Sequence, residues 1–373
     1  MSRKRRKPKT ETSTTKINLT KLVIEKTFSP IDISNVKKIA DASIKILAEI
    51  GMSDAPEELC ELVLEHGGKL EGSRLLYPPA LIKNAIENHK RVVLLAGQTI
   101  ENDLLVGGNS VYAGTGGAAP NLQKLETNEY VASKLKDLYD AARLADSLSN
   151  ISFFSRSLVA GDIEDPLEFD LSTAAASLAG TSKHVMVQAS HWSHVVAIAN
   201  LCYKLARGEE NFRNRPFLSL HVNHAVPPLR FDPESIKVMM EAVKRGIPVH
   251  CNVFGQLGAS SPVTIAGSVA QTLAENLAGL VAVHILDPDA SSIAGPRPMI
   301  TDLRTGGMAG GAPEQSMATA AAVQVMRYWG IPCSVIAGAT DSKLVDFQSG
   351  YEKALTINSA AQTGANLITQ AAG

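Results

Sequence analysis

The amino-acid sequence predicts an α/β protein: a TIM (β/α)8 barrel with an N-terminal helical extension, truncated after strand 8. Eight strand-like runs alternate with helical stretches, and consecutive run centres lie between 32 residues (Ser219 to Cys251) and 42 residues (Cys251 to Ile293) apart. That interval holds one strand, one helix and two loops, whereas strands of all-β proteins recur about every 8–12 residues. The eight runs are centred at Tyr112, Phe153, Met186, Ser219, Cys251, Ile293, Val335 and Leu367.

The predicted barrel occupies residues 109–373, and two other regions precede it. Residues 1–28 form a basic arm that we expect to be disordered, because Arg3 to Lys9 is followed by Thr and Ser residues without an apolar pattern. Residues 29–108 are predicted to form a helical extension and a hairpin that plugs the bottom of the barrel. The predicted helices are Ile31–Glu49, Ala55–His66 and Pro78–His89, and the hairpin strands are Arg91–Ala96 and Asp103–Val106.

Seven crossover helices are predicted between the eight strands, since apolar residues recur at helical spacing in each interval. The sequence ends at Gly373, directly after the eighth run. We therefore expect a barrel that lacks its last helix, either because the sequence is a fragment or because a partner subunit covers that flank. The predicted helices are Lys134–Ser147, Phe169–Ala179, Ser193–Ala206, Pro233–Arg245, Thr264–Ala278, Pro313–Trp329 and Ser349–Gln362.

Composition excludes several classes of protein. The chain has 45% hydrophobic residues and a net charge of −1, so no overall positive field favours nucleic acid. The four cysteines form no C-x-x-C pair, which argues against a disulfide framework or a zinc ribbon. No apolar run is expected to reach the roughly 18 residues of a membrane span, and no secretory signal is evident. We expect a soluble, cytoplasmic protein.

Polar side chains stand where the predicted strands end, which in this fold is the reactive face. Because side chains alternate between the two sides of a strand, several of them should converge on the barrel mouth. Neutral imidazole and amide groups there could orient a small polar ligand; alternatively, they are core residues satisfied by their neighbours. The predicted substrate-binding residues of this group are Arg156, Gln188, His221, Asn223, His250 and Asn252.

Histidine pairs and glycine-rich loops suggest other sites more weakly. His191 with His194, and His221 with His224, have helical i, i+3 spacing, but no third ligand is evident and we expect no metal site. Gly114 to Ala119 matches the dinucleotide fingerprint G-x-G-x-x-A, but Pro120 follows where a helix should begin. A loop that lets another molecule approach its backbone is the better interpretation.

Aromatic residues are few, at 5% of the chain, and several lie at or just beyond strand ends. Tyr112, Phe347 and Tyr351 are candidates to hold an alkylammonium group, because aromatic faces attract cations. Packing in the core is the alternative role for most of the aromatic residues.

Five blocks together resemble the trimethylamine methyltransferase family: Tyr112–Gly117, Asp302–Gly306, Gly311–Glu314, Asp341–Lys343 and Asp346–Glu352. The resemblance implies a barrel enzyme that passes a methyl group from a methylated amine to the cobalt of a corrinoid protein docked over the barrel mouth. The partner protein would supply the corrinoid (B12), and this chain would bind no cofactor directly. The loops implied to face the corrinoid contain Gly116, Gly117, Gly310, Gly311, Glu314 and Asp341.

The resemblance also bears on the substrate. The archaeal trimethylamine enzymes carry pyrrolysine at a strand end, and this sequence has only standard residues there. Members without pyrrolysine include enzymes that demethylate quaternary amines such as glycine betaine, whose nitrogen is already a cationic leaving group. Arg156 is a candidate to bind a substrate carboxylate, although a structural salt bridge is an equal alternative.

Two other functions stay open from the sequence. A Schiff-base lyase on the same fold could use Lys183 or Lys343, which lie near strand ends. An inactive, truncated scaffold subunit is the third hypothesis. In each case a homo-oligomer is expected.

Overall fold

The computed structural model describes residues 28–370 and begins with a compact extension of three helices and five short strands. Helix α1 packs along the long barrel helix α9 (Ile265–Leu286), while β1, β3 and β2 form a small antiparallel sheet and β4 pairs with β5 as a hairpin. Apart from Phe28, the predicted basic arm lies outside the described residues. The elements are α1 (Ile33–Glu49), β1 (Met52–Ser53), α2 (Glu57–Glu65), β2 (Lys69–Glu71), β3 (Arg74–Leu76), α3 (Pro79–Asn88), β4 (Val92–Leu95) and β5 (Leu104–Gly107).

Eight parallel strands form a closed barrel, which confirms the predicted fold. One sheet has the strand order β13-β12-β11-β10-β9 and a second has the order β14-β15-β6. Isolated parallel bridges from Gly114 to Phe153 and from Ala294 to Cys333 join the two sheets into a ring. The barrel strands are β6 (Tyr112–Ala113), β9 (Phe153–Ser155), β10 (His184–Val187), β11 (Leu218–Val222), β12 (Val249–Gln256), β13 (Ser292–Met299), β14 (Ser334–Ile336) and β15 (Leu367–Thr369).

Helices cross over between successive barrel strands, as the periodicity indicated. Two additions interrupt the simple repeat: a hairpin of β7 and β8 after β6, and the short helix α7 before β11. The hairpin begins at Asn121, so the glycine-rich segment before it leads into a strand and not into the helix that a dinucleotide site requires. These elements are β7 (Asn121–Gln123), β8 (Tyr130–Ala132), α4 (Leu135–Ser147), α5 (Pro166–Gly180), α6 (Trp192–Leu205), α7 (Glu209–Asn214), α8 (Pro233–Lys244), α9 (Ile265–Leu286), α10 (Pro313–Trp329) and α11 (Phe347–Thr363).

Helix α9 corrects two expectations from the sequence. It continues to Leu286, eight residues past the predicted end at Ala278, because the apolar pattern persists as far as Asp287. It is also the one helix among residues 28–370 that is long and apolar enough to cross a membrane, so the expectation that no apolar run reaches that length was wrong. In the folded chain 83% of that apolar window is buried. Contacts with α1, β12 and β13 make α9 a core helix of the barrel wall.

The hairpin β4–β5 closes the N-terminal end of the barrel. Its inward side chains form one buried cluster with residues at the start of the barrel strands. The hairpin also hydrogen-bonds to the strands above it, since Nδ1–H of His184 donates to the Ala96 carbonyl over 2.8 Å. Access to the barrel interior is therefore left to the opposite end. The buried cluster comprises Val93, Leu95, Leu104 and Val106 of the hairpin with Phe153, Met186, Ile293 and Leu367 of the barrel.

A groove of about 890 Å³ runs between α4 and α11 and reaches the C-terminal end of the barrel. Apolar side chains that are largely exposed line it, including Leu144 (63% exposed), Leu148, Leu344 and Val345. The groove meets the barrel mouth at Gly116 and Gly117, so that loop borders both the groove and the barrel interior.

Candidate functional site

A cavity of about 100 Å³ lies at the C-terminal mouth of the barrel, and residues at the ends of all eight strands line it. Such a position is where enzymes of this fold place their reactive groups. Among residues 28–370, the cavity lining contains no aspartate or glutamate. Its polar side chains are Ser155, Arg156, Gln188, His221, Asn223, Asn252, Arg297, Thr369 and Gln370.

Strand register brings these side chains together. His221 pairs with His250, Asn252 with Gly295, and Phe254 with Arg297, so inward positions of neighbouring strands fall side by side. A Cβ atom at Gly295 would overlap Oδ1 of Asn252. Glycine at this inward position therefore leaves the space that Asn252 and the cavity occupy.

His221 is held between two polar partners on the cavity floor. Its Nδ1 lies 3.1 Å from Nδ2 of Asn252, and its Nε2 lies 3.1 Å from Oγ of Ser155. Since the amide nitrogen only donates, Nδ1 accepts and Nε2–H donates to the serine. Burial holds the pKa of His221 well below its usual range, and the nearby Arg297 and Arg156 lower it further. The imidazole is therefore neutral near pH 7.

Two more buried histidines lie beneath this floor. Oγ of Ser219 lies 2.8 Å from Nε2 of His184 and 2.9 Å from Nε2 of His250. Because Nδ1–H of His184 donates to a carbonyl, its Nε2 accepts the serine proton, and His250 Nε2–H donates to the serine oxygen. Burial lowers the pKa of His184 to about 4 and that of His250 well below 6.5. His250 packs 4.8 Å from His221, ring to ring, but does not itself line the cavity.

Arg297 is the charged residue of the cavity that the sequence analysis missed. It is only 4% exposed, it lines the cavity, and its Nε and Nη1 atoms are buried without a hydrogen-bond partner. Burial lowers the pKa of its guanidinium to about 9. The group stacks over the ring of Phe254 at 5.1 Å, a cation–π contact. Its position in a mostly apolar strand, two residues beyond the inward Gly295, was the signal that could have revealed it.

Arg156 and Gln188 lie on the neighbouring wall, where the sequence analysis expected them. The Arg156 guanidinium donates to Oε1 of Gln188 and packs 5.8 Å from the ring of Phe169. Its Nε is buried without a partner. Burial lowers the pKa of Arg156, and the carboxylate of Asp170 partly opposes that effect. Asn223 is exposed at the rim of the same cavity.

Three aromatic candidates do not line the cavity. Tyr112 begins β6 at the closed end of the barrel, where it packs against the hairpin cluster and its hydroxyl lies 3.5 Å from the Leu105 carbonyl. Phe347 is 92% exposed and Tyr351 is 55% exposed, because both stand on the outer face of the first turns of α11. Phe254 also lies at a strand end but was not among the predicted binding residues, and it is the Phe, Tyr or Trp side chain that lines the cavity.

The glycine-rich loop before α10 is fixed to the loop after β14. The amides of Gly310 and Gly311 donate to the carboxylate of Asp341 over 3.1 and 3.2 Å. Glu352 of α11 in turn accepts from the Asp341 amide over 2.7 Å. Glu314 stands exposed in the first turn of α10. These residues form the rim of the mouth and do not line the cavity, unlike Gly116 and Gly117.

The histidine pairs are engaged elsewhere. Nδ1 of His194 lies 2.7 Å from the Asp170 carboxylate, while His224 points out of the barrel and donates to the Glu275 carbonyl. Within residues 28–370, no group of three or more His, Cys, Asp or Glu side chains is arranged to hold a metal ion.

Neither candidate Schiff-base lysine reaches the cavity. Lys183 directly precedes β10, at the closed end of the barrel, and its Nζ donates to the carbonyls of Ala145 and Leu148 over 2.6 and 2.8 Å. Lys343 lines the groove between α4 and α11. No lysine lines the cavity within residues 28–370, so neither amine is placed to form a Schiff base there.

The sequence matches a known protein family. The family model described as trimethylamine methyltransferase (MTTB) matches residues 1–373. The chain is 26% identical to a glycine betaine methyltransferase of Desulfitobacterium hafniense (strain Y51), over 91% of this chain and 70% of that protein. It is 28% identical to the trimethylamine methyltransferase MttB of Methanosarcina barkeri, over 89% of this chain and 68% of the relative.

A solved structure has a similar fold. The monomethylamine methyltransferase MtmB of Methanosarcina barkeri aligns with a TM-score of 0.63, at 14% identity, over 92% of this chain and 69% of that protein. At this identity the likeness concerns the fold alone. The chain thus covers about two-thirds of the length of these three proteins.

Proposed function

Because the chain belongs to the trimethylamine methyltransferase (MTTB) family, we propose that it moves a methyl group from a small methylated amine to the cobalt of a corrinoid carried by a partner protein. The amine is a quaternary one such as glycine betaine, with trimethylamine as the second candidate. The observation that carries the proposal is the cavity at the open end of the barrel, where all eight strands contribute residues.

The chemistry of the cavity favours a quaternary substrate. Reduced cobalt(I) attacks the methyl carbon, a cobalt–carbon bond forms, and the carbon–nitrogen bond breaks with its electron pair left on nitrogen. A quaternary amine leaves as a neutral tertiary amine, so no proton is required. The cavity lining within residues 28–370 lacks a carboxyl group, and the pKa of His221 is held well below its usual range, so neither supplies an acid near pH 7. What remains for the protein is positioning and exclusion of water.

The acceptor would dock on the rim of the mouth. The rim loops contain Gly116, Gly117, Gly310, Gly311, Glu314 and Asp341, and the ties from Asp341 to the glycine amides support a fixed docking surface. Small glycine residues would let the edge of a large planar corrinoid come close to the backbone. We further propose a cytoplasmic enzyme that assembles as a homo-oligomer and carries no cofactor of its own.

The test is methyl transfer to free cob(I)alamin, followed by its absorbance, with glycine betaine, choline or trimethylamine as donor. We expect methylcobalamin together with the singly demethylated amine when a quaternary donor is present. A corrinoid protein that co-purifies with the chain should accelerate the transfer. If no donor methylates either acceptor, while the folded chain still binds the corrinoid protein, the scaffold hypothesis replaces the enzyme.

A further inference from the structure

Arg297 carries a positive charge that nothing in its surroundings balances. The residue is only 4% exposed, its Nε and Nη1 atoms are buried without a partner, and none of the ion pairs among residues 28–370 includes it. Buried arginines are normally paired with a carboxylate or phosphate, because removing the charge from water is costly. An unpaired guanidinium that lines a cavity therefore points to an anion that arrives with a ligand.

Arg156 adds a second positive charge to the same cavity. Its Nε is also buried without a partner, and Gln188 occupies only one side of its guanidinium. The histidines below the floor are neutral, and no carboxylate lines the cavity within the described residues. An amine with no negative group would bring a third positive charge to these two arginines. A carboxylate would match the planar donor fork of an arginine.

From these observations we infer that Arg297 and Arg156 form an anion subsite, which selects methylated amines that bear a carboxylate over those that lack one. The inference rests on the proposed function for the methyl-transfer step and deepens it by naming the substrate class. The cavity of about 100 Å³ holds only a short molecule. With the carboxylate on the arginines, the methylated nitrogen of such a molecule would occupy the rest of the cavity, which Gly116 and Gly117 also line.

The experiment is calorimetric binding to the whole chain without any methyl acceptor. Glycine betaine and choline share the trimethylammonium group, but only glycine betaine has a carboxylate. The third probe, 3,3-dimethylbutanoate, has the shape and carboxylate of glycine betaine without its positive charge. We expect glycine betaine to bind at least tenfold more tightly than choline, and 3,3-dimethylbutanoate to compete with glycine betaine.

Substitutions of Arg297 test whether this residue causes the preference for glycine betaine over choline. Arg297→Gln should weaken glycine betaine at least tenfold and leave choline unchanged or slightly tighter, whereas Arg297→Lys should retain part of the affinity. Arg143→Gln is the matched control, because Arg143 is exposed on α4 and remote from the cavity. Thermal unfolding of each variant checks that it folds.

Each outcome bears on the inference separately from the proposed function. Equal affinities for choline and glycine betaine, no binding of either carboxylate at millimolar concentration, or no effect of Arg297→Gln in a folded protein would overturn the anion subsite. Carboxylate-dependent binding without any methyl transfer would support the subsite and contradict the methyltransferase. Efficient demethylation of choline and trimethylamine, with no preference for glycine betaine, would support the methyltransferase and contradict the anion subsite.

Discussion

Nδ2 of Asn252 lies 3.1 Å from Nδ1 of His221, and this contact fixes the proton of the imidazole on Nε2. Replacing the amide by a carboxylate would reverse the preference, because Asn252→Asp places a negative charge beside the ring. We expect the pKa of His221 to rise by about 1–3 units, the range for an opposite charge at this distance. Nitrogen-15 chemical shifts of the labelled histidine, followed against pH, measure the change. Asn252→Leu removes the bond without adding charge, and a similar rise in that variant would refute the electrostatic explanation.

The buried histidines predict how stability depends on pH. The unfolded chain protonates them from about pH 6.5, while in the folded chain the pKa of His184 is lowered to about 4 and that of His250 lies well below 6.5. Between these values the unfolded state binds more protons, so the free energy of unfolding decreases as pH falls from 6.5 toward 4. Glu275 acts oppositely, since burial raises its pKa to about 7, but it is one group against several histidines.

Urea unfolding at a series of pH values measures this slope. His184→Asn should flatten it, whatever its effect on stability at neutral pH. The control is His66→Asn, at an exposed position in the N-terminal extension. A slope that is unchanged in the His184 variant would show that the acid sensitivity arises elsewhere.

Because the β4–β5 hairpin packs against the barrel, we expect its buried side chains to contribute strongly to the free energy of unfolding. Leu95 is fully buried against the barrel strands, so Leu95→Ala should lower the free energy of unfolding by about 2–5 kcal/mol. Val92 lies in the same strand but is 52% exposed, and Val92→Ala should change stability by no more than about 0.5 kcal/mol. Denaturant unfolding of both variants provides the comparison. Equal losses would mean that the hairpin contributes through its backbone and not through the buried cluster.

The contacts among the loops at the barrel mouth lead us to expect that Gly311→Ala loosens these loops. A Cβ atom at Gly311 would overlap the carboxylate of Glu352, so Gly311→Ala should disturb the bonds that tie Gly310 and Gly311 to Asp341. Faster hydrogen–deuterium exchange is expected in residues 306–312 and 338–346. Gly350→Ala is the matched substitution, because a Cβ atom there meets nothing within 4 Å. Exchange that rises equally in both variants would show that the contact of Glu352 with the Asp341 amide does not hold these loops in place.

The positions of Lys183 and Lys343 lead us to expect that neither forms a Schiff base, as a lyase would require. Lys183 is buried with its Nζ on two carbonyl oxygens, which leaves no route for a carbonyl substrate. Borohydride reduction in the presence of pyruvate should therefore leave Lys183 unmodified in a peptide map. A stable adduct at Lys183 or at Lys343 would restore the Schiff-base lyase as a candidate.

Periodicity in the sequence was enough to predict the barrel and most of its helices. The bounds of α10, from Pro313 to Trp329, agreed at both ends, because proline begins the helix and Gly330 ends it in a left-handed conformation. The additional hairpin β7–β8 was missed because its strands are only three residues long, too short for a detectable alternation.

Site residues were harder to predict than elements. Alternation along a strand indicates which side chains point inward, but the height of each residue in the barrel depends on how neighbouring strands are staggered. Tyr112 and His250 both point inward, yet Tyr112 lies at the closed end and His250 below the cavity floor. Arg297 was overlooked because a charged residue inside an apolar strand is an exception to the pattern on which the strand was predicted.

Because the β4–β5 hairpin closes one end of the barrel, small molecules can enter and leave its interior only through the opposite end. A protein bound over the open end would prevent a ligand in the cavity from dissociating. Under the function proposed above, the amine would bind first, the methyl acceptor would bind second, and the demethylated amine would leave only after the acceptor had dissociated.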